Sequence, residues 1–118
     1  MKFIKTKTHG YLDYTVGIFL MIAPFIFHLT NINPEGLVFY VLGVAAIFYS
    51  ALTNYELGLF KLIPMKVHLI LDVLSGIFLA ASPWILGFSD RVYLPHLILG
   101  IFEITAGLLT TSQTSYDD

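Results

Sequence analysis

Two histidines and two aspartates occupy matched positions in this chain. Asp13 follows His9 by four residues, and Asp72 follows His68 by four. Residues four apart lie on one face of a helix, so each pair can touch. If the two pairs meet, two imidazoles and two carboxylates converge, a ligand set that suits zinc, iron or manganese. His9, Asp13, His68 and Asp72 are therefore candidate ligands for a divalent metal, although no cofactor is expected from the rest of the sequence. The competing reading is a polar lock. There, each Asp is hydrogen-bonded to a His one turn back, helped by the helix N-terminal dipole, and the pairs fix helix contacts. A proton or ion path is the third use of the same groups.

The matching extends beyond these four residues. His9 and His68, Asp13 and Asp72, Gly17 and Gly76, and Pro24 and Pro83 all stand 59 residues apart, and Gly17-Ile18-Phe19-Leu20 recurs as Gly76-Ile77-Phe78-Leu79. A second register, 57 residues apart, relates Leu42-Gly43 to Leu99-Gly100 and Leu52-Thr53 to Leu109-Thr110. Such periodicity points to one supersecondary unit used twice.

Three further features bear on chemistry. Glu103 lies in an apolar stretch between Phe102 and Ile104, at about the depth of Ser75 and Gly76, and its counterpart in the first half is Ala46. An ionisable group inside a membrane segment is a functional candidate by default; it can be a proton-binding carboxyl or a neutral interhelical hydrogen-bond donor. Gly17 and Gly76 follow the His–Asp pairs on the same faces and are read as close-approach points for helix packing. In Ser82-Pro83-Trp84, proline frees the carbonyl of Leu79, Ser82 can satisfy it, and Trp84 can anchor at the membrane interface. Pro24 and Phe25 are expected to do the same in the first half.

The elements that must position these groups follow from hydropathy. Of 118 residues, 57% are hydrophobic and 12% charged, with a mean hydropathy of +0.80. A soluble domain this small could not bury so much apolar surface, so the bilayer is the natural solvent. Cysteine is absent, which excludes disulfides and thiolate metal sites. A net charge of −2 gives no basic stripe for nucleic acid. Apolar runs from Tyr11 to about Leu29, Leu37 to about Leu52, Met65 to Leu86 and Val92 to Leu109 predict four spans. A turn cluster at Thr30–Gly36, a short apolar stretch at 59–64 with Pro64 opening the third helix, and a tight loop at Gly87–Arg91 separate them. His28 and His96 are expected at solvated outer ends, and Tyr11, Tyr14, Tyr40, Tyr49 and Tyr93 in aromatic belts.

The expected fold is all-α: a four-helix transmembrane bundle made of two tandem helical hairpins in the same orientation. It forms one membrane domain over 1–118, with repeat 1 at about 5–54, repeat 2 at about 64–111, and a polar tail at 112–118. Lys2, Lys5, Lys7, Lys61 and Lys66 fall on one side and Arg91 on the other, which puts both termini in the cytoplasm.

With its duplicated two-helix unit and Ser82-Pro83-Trp84, the chain resembles the SPW-repeat integral membrane proteins. The resemblance covers about residues 9–110. The second copy fits, reading G-I-F-L-A-A-S-P-W-I-L-G-F at 76–88, while the first has Ala23-Pro24-Phe25. The resemblance implies a fold and a membrane location and no particular activity. The expected function is a non-enzymatic structural or accessory subunit. A proton- or cation-linked transporter or channel subunit using Glu103, Asp13 and Asp72 is the first alternative. A metal-dependent membrane enzyme is the second. The expected partners are the lipid bilayer and either further copies of the chain or a larger membrane assembly. The expected location is a bacterial inner membrane.

Overall fold

A computed structural model describes residues 2–29 and 33–114. Residues 30–32 of the expected turn and 115–118 of the polar tail lie outside the described residues. Four helices follow one another: α1 (Thr6–Ile26), α2 (Pro34–Leu52), α3 (Met65–Ile85) and α4 (Leu94–Leu109). No strand occurs among the described residues. The molecule measures 49 × 27 × 19 Å.

The boundaries have local causes. Pro34 occupies the first turn of α2, where its missing N–H is no loss, so Glu35 and Gly36 belong to the helix rather than to the expected turn. Pro64 stands immediately before α3 instead of opening it. After α3, Gly87 takes a positive φ of 77° and the Phe88 N–H reaches the Pro83 carbonyl at 2.8 Å. After α1, His28 takes a φ of 58° and the Leu29 N–H reaches the Pro24 carbonyl at 2.7 Å. One left-handed helix stop is thus made by glycine and the other by histidine.

Helices α1, α2 and α3 are long and apolar enough to cross a membrane. At 16 residues α4 is apolar but shorter, about 24 Å, less than a full hydrocarbon core of about 30 Å. Outward-facing Ile18, Phe48, Ile70, Leu74, Ile98 and Leu108 are more than half exposed. Apolar side chains facing out around the bundle belong to a chain solvated by lipid. The protein is a small integral membrane protein.

The helices pair as hairpins: α1 packs along α2, α3 along α4, and α2 touches α3 over a shorter stretch. Glycine sets both pairings. A Cβ on Gly43 would lie 2.7 Å from the carbonyl oxygen of Gly17, and one on Gly100 would lie 2.6 Å from that of Gly76. Gly17 and Gly76 therefore serve contacts within each hairpin and do not bring α1 against α3.

The two hairpins meet through other means. Leu20, Ala23, Val38, Phe39, Leu79 and Phe88 form an apolar core toward one end. At that end, Arg91 is paired with Glu35 at 3.0 Å, and His96 Nε2 lies 2.8 Å from the Glu35 carbonyl while stacking on Phe39. The Glu35 carboxylate also holds the Arg91 guanidinium above its ordinary pKa. His96 is fully buried, not solvated as expected, because its ring fills the space between Phe39 and Phe88.

Candidate metal and polar centre

At the other end, short backbone bridges position the polar groups. Just before α1, Ile4 donates its N–H to the Leu109 carbonyl and accepts from the Thr111 N–H, each at 3.0 Å. Just before α3, Ile63 donates to the Leu52 carbonyl at 2.8 Å and accepts from Asn54 at 2.7 Å. The start of α1 is thereby tied to the end of α4, and the start of α3 to the end of α2. These ties bring the first turns of α1 and α3 to a common point.

The four sequence-derived candidates converge there. His9 Nε2 lies 3.0 Å from Asp13 Oδ1 and 2.6 Å from Asp72 Oδ2. His68 Nε2 lies 2.9 Å from Asp13 Oδ2 and 3.2 Å from Asp72 Oδ2. Each imidazole faces both carboxylates, its own helix's and the other's. The two rings stand edge to face, 5.5 Å between centroids. One ligand atom from each of the four residues can be chosen so that all lie within 4.8 Å of one another, and all four side chains are buried.

Outside this ring of four lies a second layer that sequence reading did not identify. His9 Nδ1 lies 2.7 Å from the Thr110 hydroxyl, and His68 Nδ1 2.7 Å from that of Thr53. Each threonine donates its own proton to a carbonyl one turn back, Thr110 to Ala106 at 2.6 Å and Thr53 to Tyr49 at 2.7 Å. A hydroxyl has one proton, so while each threonine donates it to the carbonyl, its oxygen accepts from the histidine. In that arrangement both imidazoles carry a proton on Nδ1. Tyr49 donates to Asp72 Oδ1 at 2.5 Å and Tyr55 to Asp13 Oδ2 at 2.7 Å. Burial beside Asp13 pushes the Tyr55 hydroxyl well above its ordinary pKa, which keeps it a donor. Tyr49 is buried on α2 and does not join an aromatic belt, because its hydroxyl is drawn to Asp72.

The tautomers decide what the centre can do. With Nδ1–H committed outward, both Nε2 atoms point inward at two carboxylates. Four acceptors cannot face one another without positive charge between them. Two protons on the Nε2 atoms supply it, and so does one divalent cation; either way the centre is electrically neutral. Neutrality matters because an uncompensated charge buried in apolar surroundings is very costly. The helix dipole has no part in this for the aspartates. Asp13 and Asp72 are each the eighth residue of their helices, and the dipole's influence fades within the first turn.

The remaining candidates lie around this centre or away from it. Ser75 sits beside the Tyr49 hydroxyl. Glu103 is buried on α4, and its Oε1 has no hydrogen-bond partner. Ser82 Oγ donates to the Leu79 carbonyl at 2.7 Å, which answers the acceptor that Pro83 leaves open. Trp84 is half exposed with its ring 5.6 Å from that of Tyr93, and Phe25 is exposed. Pro24 and Pro83 are buried inside their helices. The Ser-Pro-Trp stretch is thus remote from the His–Asp centre, beside the apolar core at the opposite end.

The family model for the SPW repeat domain matches residues 7–110. No curated protein and no protein of solved structure matches the chain.

Proposed function

The chain belongs to the SPW repeat family, and from that premise we propose that it is a membrane metal-binding protein whose His9, Asp13, His68 and Asp72 hold one divalent transition-metal ion. The observation that carries this reading is the orientation of the two histidines. A metal-ligating histidine typically gives its other ring N–H to an oxygen acceptor, and ligating carboxylates are themselves hydrogen-bonded. Here all four inward-facing residues have such an outer partner: Thr110, Thr53, Tyr55 and Tyr49. The donor set of two nitrogens and two oxygens fits zinc, iron(II) or manganese(II). In a tetrahedral site with bonds near 2.0–2.1 Å, neighbouring ligand atoms stand about 3.3 Å apart. The present N···O distances of 2.6–3.2 Å reach both oxygens of Asp13 and are shorter than this, while one ligand atom per residue keeps the set within 4.8 Å, so the four side chains would have to adjust around an ion.

Those same short distances favour one second reading, a proton-filled polar lock that joins the two hairpins and makes the protein a structural or accessory subunit. Metal and protons occupy the same place in the two readings. The lysine bias supports reading this end of the bundle, with both termini, as cytoplasmic, and we read the membrane as a bacterial inner one. We also read the chain as two tandem hairpin units. The sequence registers and the recurrence of the bridges at Ile4 and Ile63 support that organisation.

The test is elemental analysis of the purified detergent-solubilised protein after exposure to Zn2+, Mn2+ or Fe2+, beside Asp13→Asn/Asp72→Asn. One ion per chain in the wild type, lost in a variant that keeps its helical circular dichroism, supports the metal reading. No bound ion in the wild type overturns it in favour of the lock.

A further inference from the structure

Beside the four-residue centre lies a cavity of about 20 Å³ with a mostly apolar lining that includes His9, Asp13, Asp72 and Glu103. Its existence follows from an asymmetry between the two halves. Two of its walls are the small side chains Ala46 and Ala106. Ala46 is the first-half counterpart of Glu103. Ala106 is the second-half counterpart of Tyr49, the residue that fills the corresponding space against Asp72. A glutamate at 46 or a tyrosine at 106 would occupy the void. Two alanines leave it open, next to one carboxyl.

A space of about 10–15 Å³ holds one water, and a water needs two to four polar partners. The cavity has the size for one, and four polar residues stand among its otherwise apolar lining. Glu103 is 9% exposed, and its Oε1 is buried without a hydrogen-bond partner. A buried carboxyl oxygen left so is costly unless something in the adjoining space bonds to it.

We propose that this cavity binds a single water-sized oxygen ligand, held by Glu103 and facing the His–Asp centre. This inference rests on the metal reading for its consequence. With an ion on His9, Asp13, His68 and Asp72, the ligand is a fifth donor beyond the four of a tetrahedral site, so it requires an ion that expands its coordination, and only then is the site open rather than closed. Structural sites are saturated by protein ligands, whereas reactive ones keep a position for water or substrate. Glu103 is then a positioning residue that accepts from or donates to the bound oxygen. The volume admits water or hydroxide and nothing larger than a few atoms, so the ligand class is small and oxygenic.

The experiment is a structure determination at a resolution that resolves waters. Wild type, Glu103→Gln and Glu103→Leu are each examined metal-free and after soaking with Zn2+. The expected result is one density peak in the cavity in both wild-type forms, within bonding distance of the ion when zinc is present. Glutamine, which keeps an oxygen and an N–H, retains the peak, and leucine loses it. A zinc ion on the four side chains with an empty cavity overturns this inference and leaves the metal reading intact. A peak bonded to Glu103 with no zinc taken up sustains the ligand position and defeats the metal reading. A peak that persists unchanged in Glu103→Leu overturns the role given to Glu103.

Discussion

His9 Nδ1 and the Thr110 hydroxyl are 101 residues apart in the chain and 2.7 Å apart in space, and while Thr110 donates to the Ala106 carbonyl its oxygen accepts from the histidine. The relationship recurs between His68 and Thr53, 15 residues apart. Each hairpin's histidine is met by the threonine that ends the other hairpin. In the metal reading, orientation of the rings, more than the mere presence of the four side chains, determines what the centre can bind.

Replacing Thr110 by valine keeps the volume and removes the acceptor. The His9 Nδ1–H is then unpaired and free to change tautomer. Loss of such an outer partner typically lowers metal affinity about 10–100-fold. Thr53→Val should do the same through His68, and Thr110→Ser should restore wild-type binding. Competition against a fluorescent zinc chelator measures all three, and equal affinities across the set would refute the orienting role.

Tyr49→Phe keeps the ring beside His68, at 5.1 Å between centroids, and removes the donor to Asp72. A buried carboxylate oxygen left without its donor costs about 1–3 kcal/mol. The expected outcome is a lower unfolding midpoint in detergent for the metal-free protein. An unchanged midpoint would mean that Asp72 finds another partner.

Metal and protons compete for one place, so binding must weaken as pH falls. While both empty-site imidazoles carry a proton on Nε2, each ion displaces two protons, and one pH unit downward weakens apparent affinity by about 100-fold. Chelator competition at two pH values and fixed ionic strength reads this slope. A flat profile would exclude the exchange.

Gly100→Ala places a Cβ 2.5 Å from the Ala80 nitrogen and 2.6 Å from the Gly76 oxygen, so two backbones must part. Forcing atoms into such a packed contact costs about 1–3 kcal/mol. Gly107→Ala meets the Val73 side chain first, at 2.9 Å, and should cost less. Thermal unfolding in detergent ranks the pair, and the reverse order would refute the account of the α3–α4 crossing.

His28→Gly should stabilise. His28 holds a left-handed backbone that costs a non-glycine residue about 1 kcal/mol, and Gly87 already fills the matching position after α3. A raised unfolding midpoint is expected, and a lowered one would show that the His28 side chain makes a stabilising contact.

Much of this was legible in the residues themselves. Hydropathy marked the helices, and repetition marked His9, Asp13, His68 and Asp72, because paired ionisable groups in apolar segments are conspicuous. Thr53 and Thr110 were visible as a matched pair, but threonine in a membrane helix is too ordinary to signal a role. Tyr49 and Tyr55 carry no repeat signal at all: Ala106 and Ser112 stand at the corresponding positions. Their part emerges only where α2 and the chain after it turn toward the centre. Glu35 read as a turn residue because Pro34 hides a helix start, and His96 read as solvated because nothing local reveals Phe39 and Phe88 around it. The glycine pairs were visible, but which helices they join depends on tertiary pairing that no single segment encodes.

The bridge from Ile4 to the end of α4 has a consequence for how the protein is made. As a ribosome delivers the chain, His9, Asp13, Tyr49, Tyr55, His68 and Asp72 all emerge before Thr110, the residue against the outer nitrogen of His9. The centre therefore stays unfinished through most of synthesis and closes on nearly the last described turn. A chain released early would carry all four side chains and lack the hydroxyl that His9 Nδ1 meets, so a complete centre requires that translation run to the end of α4.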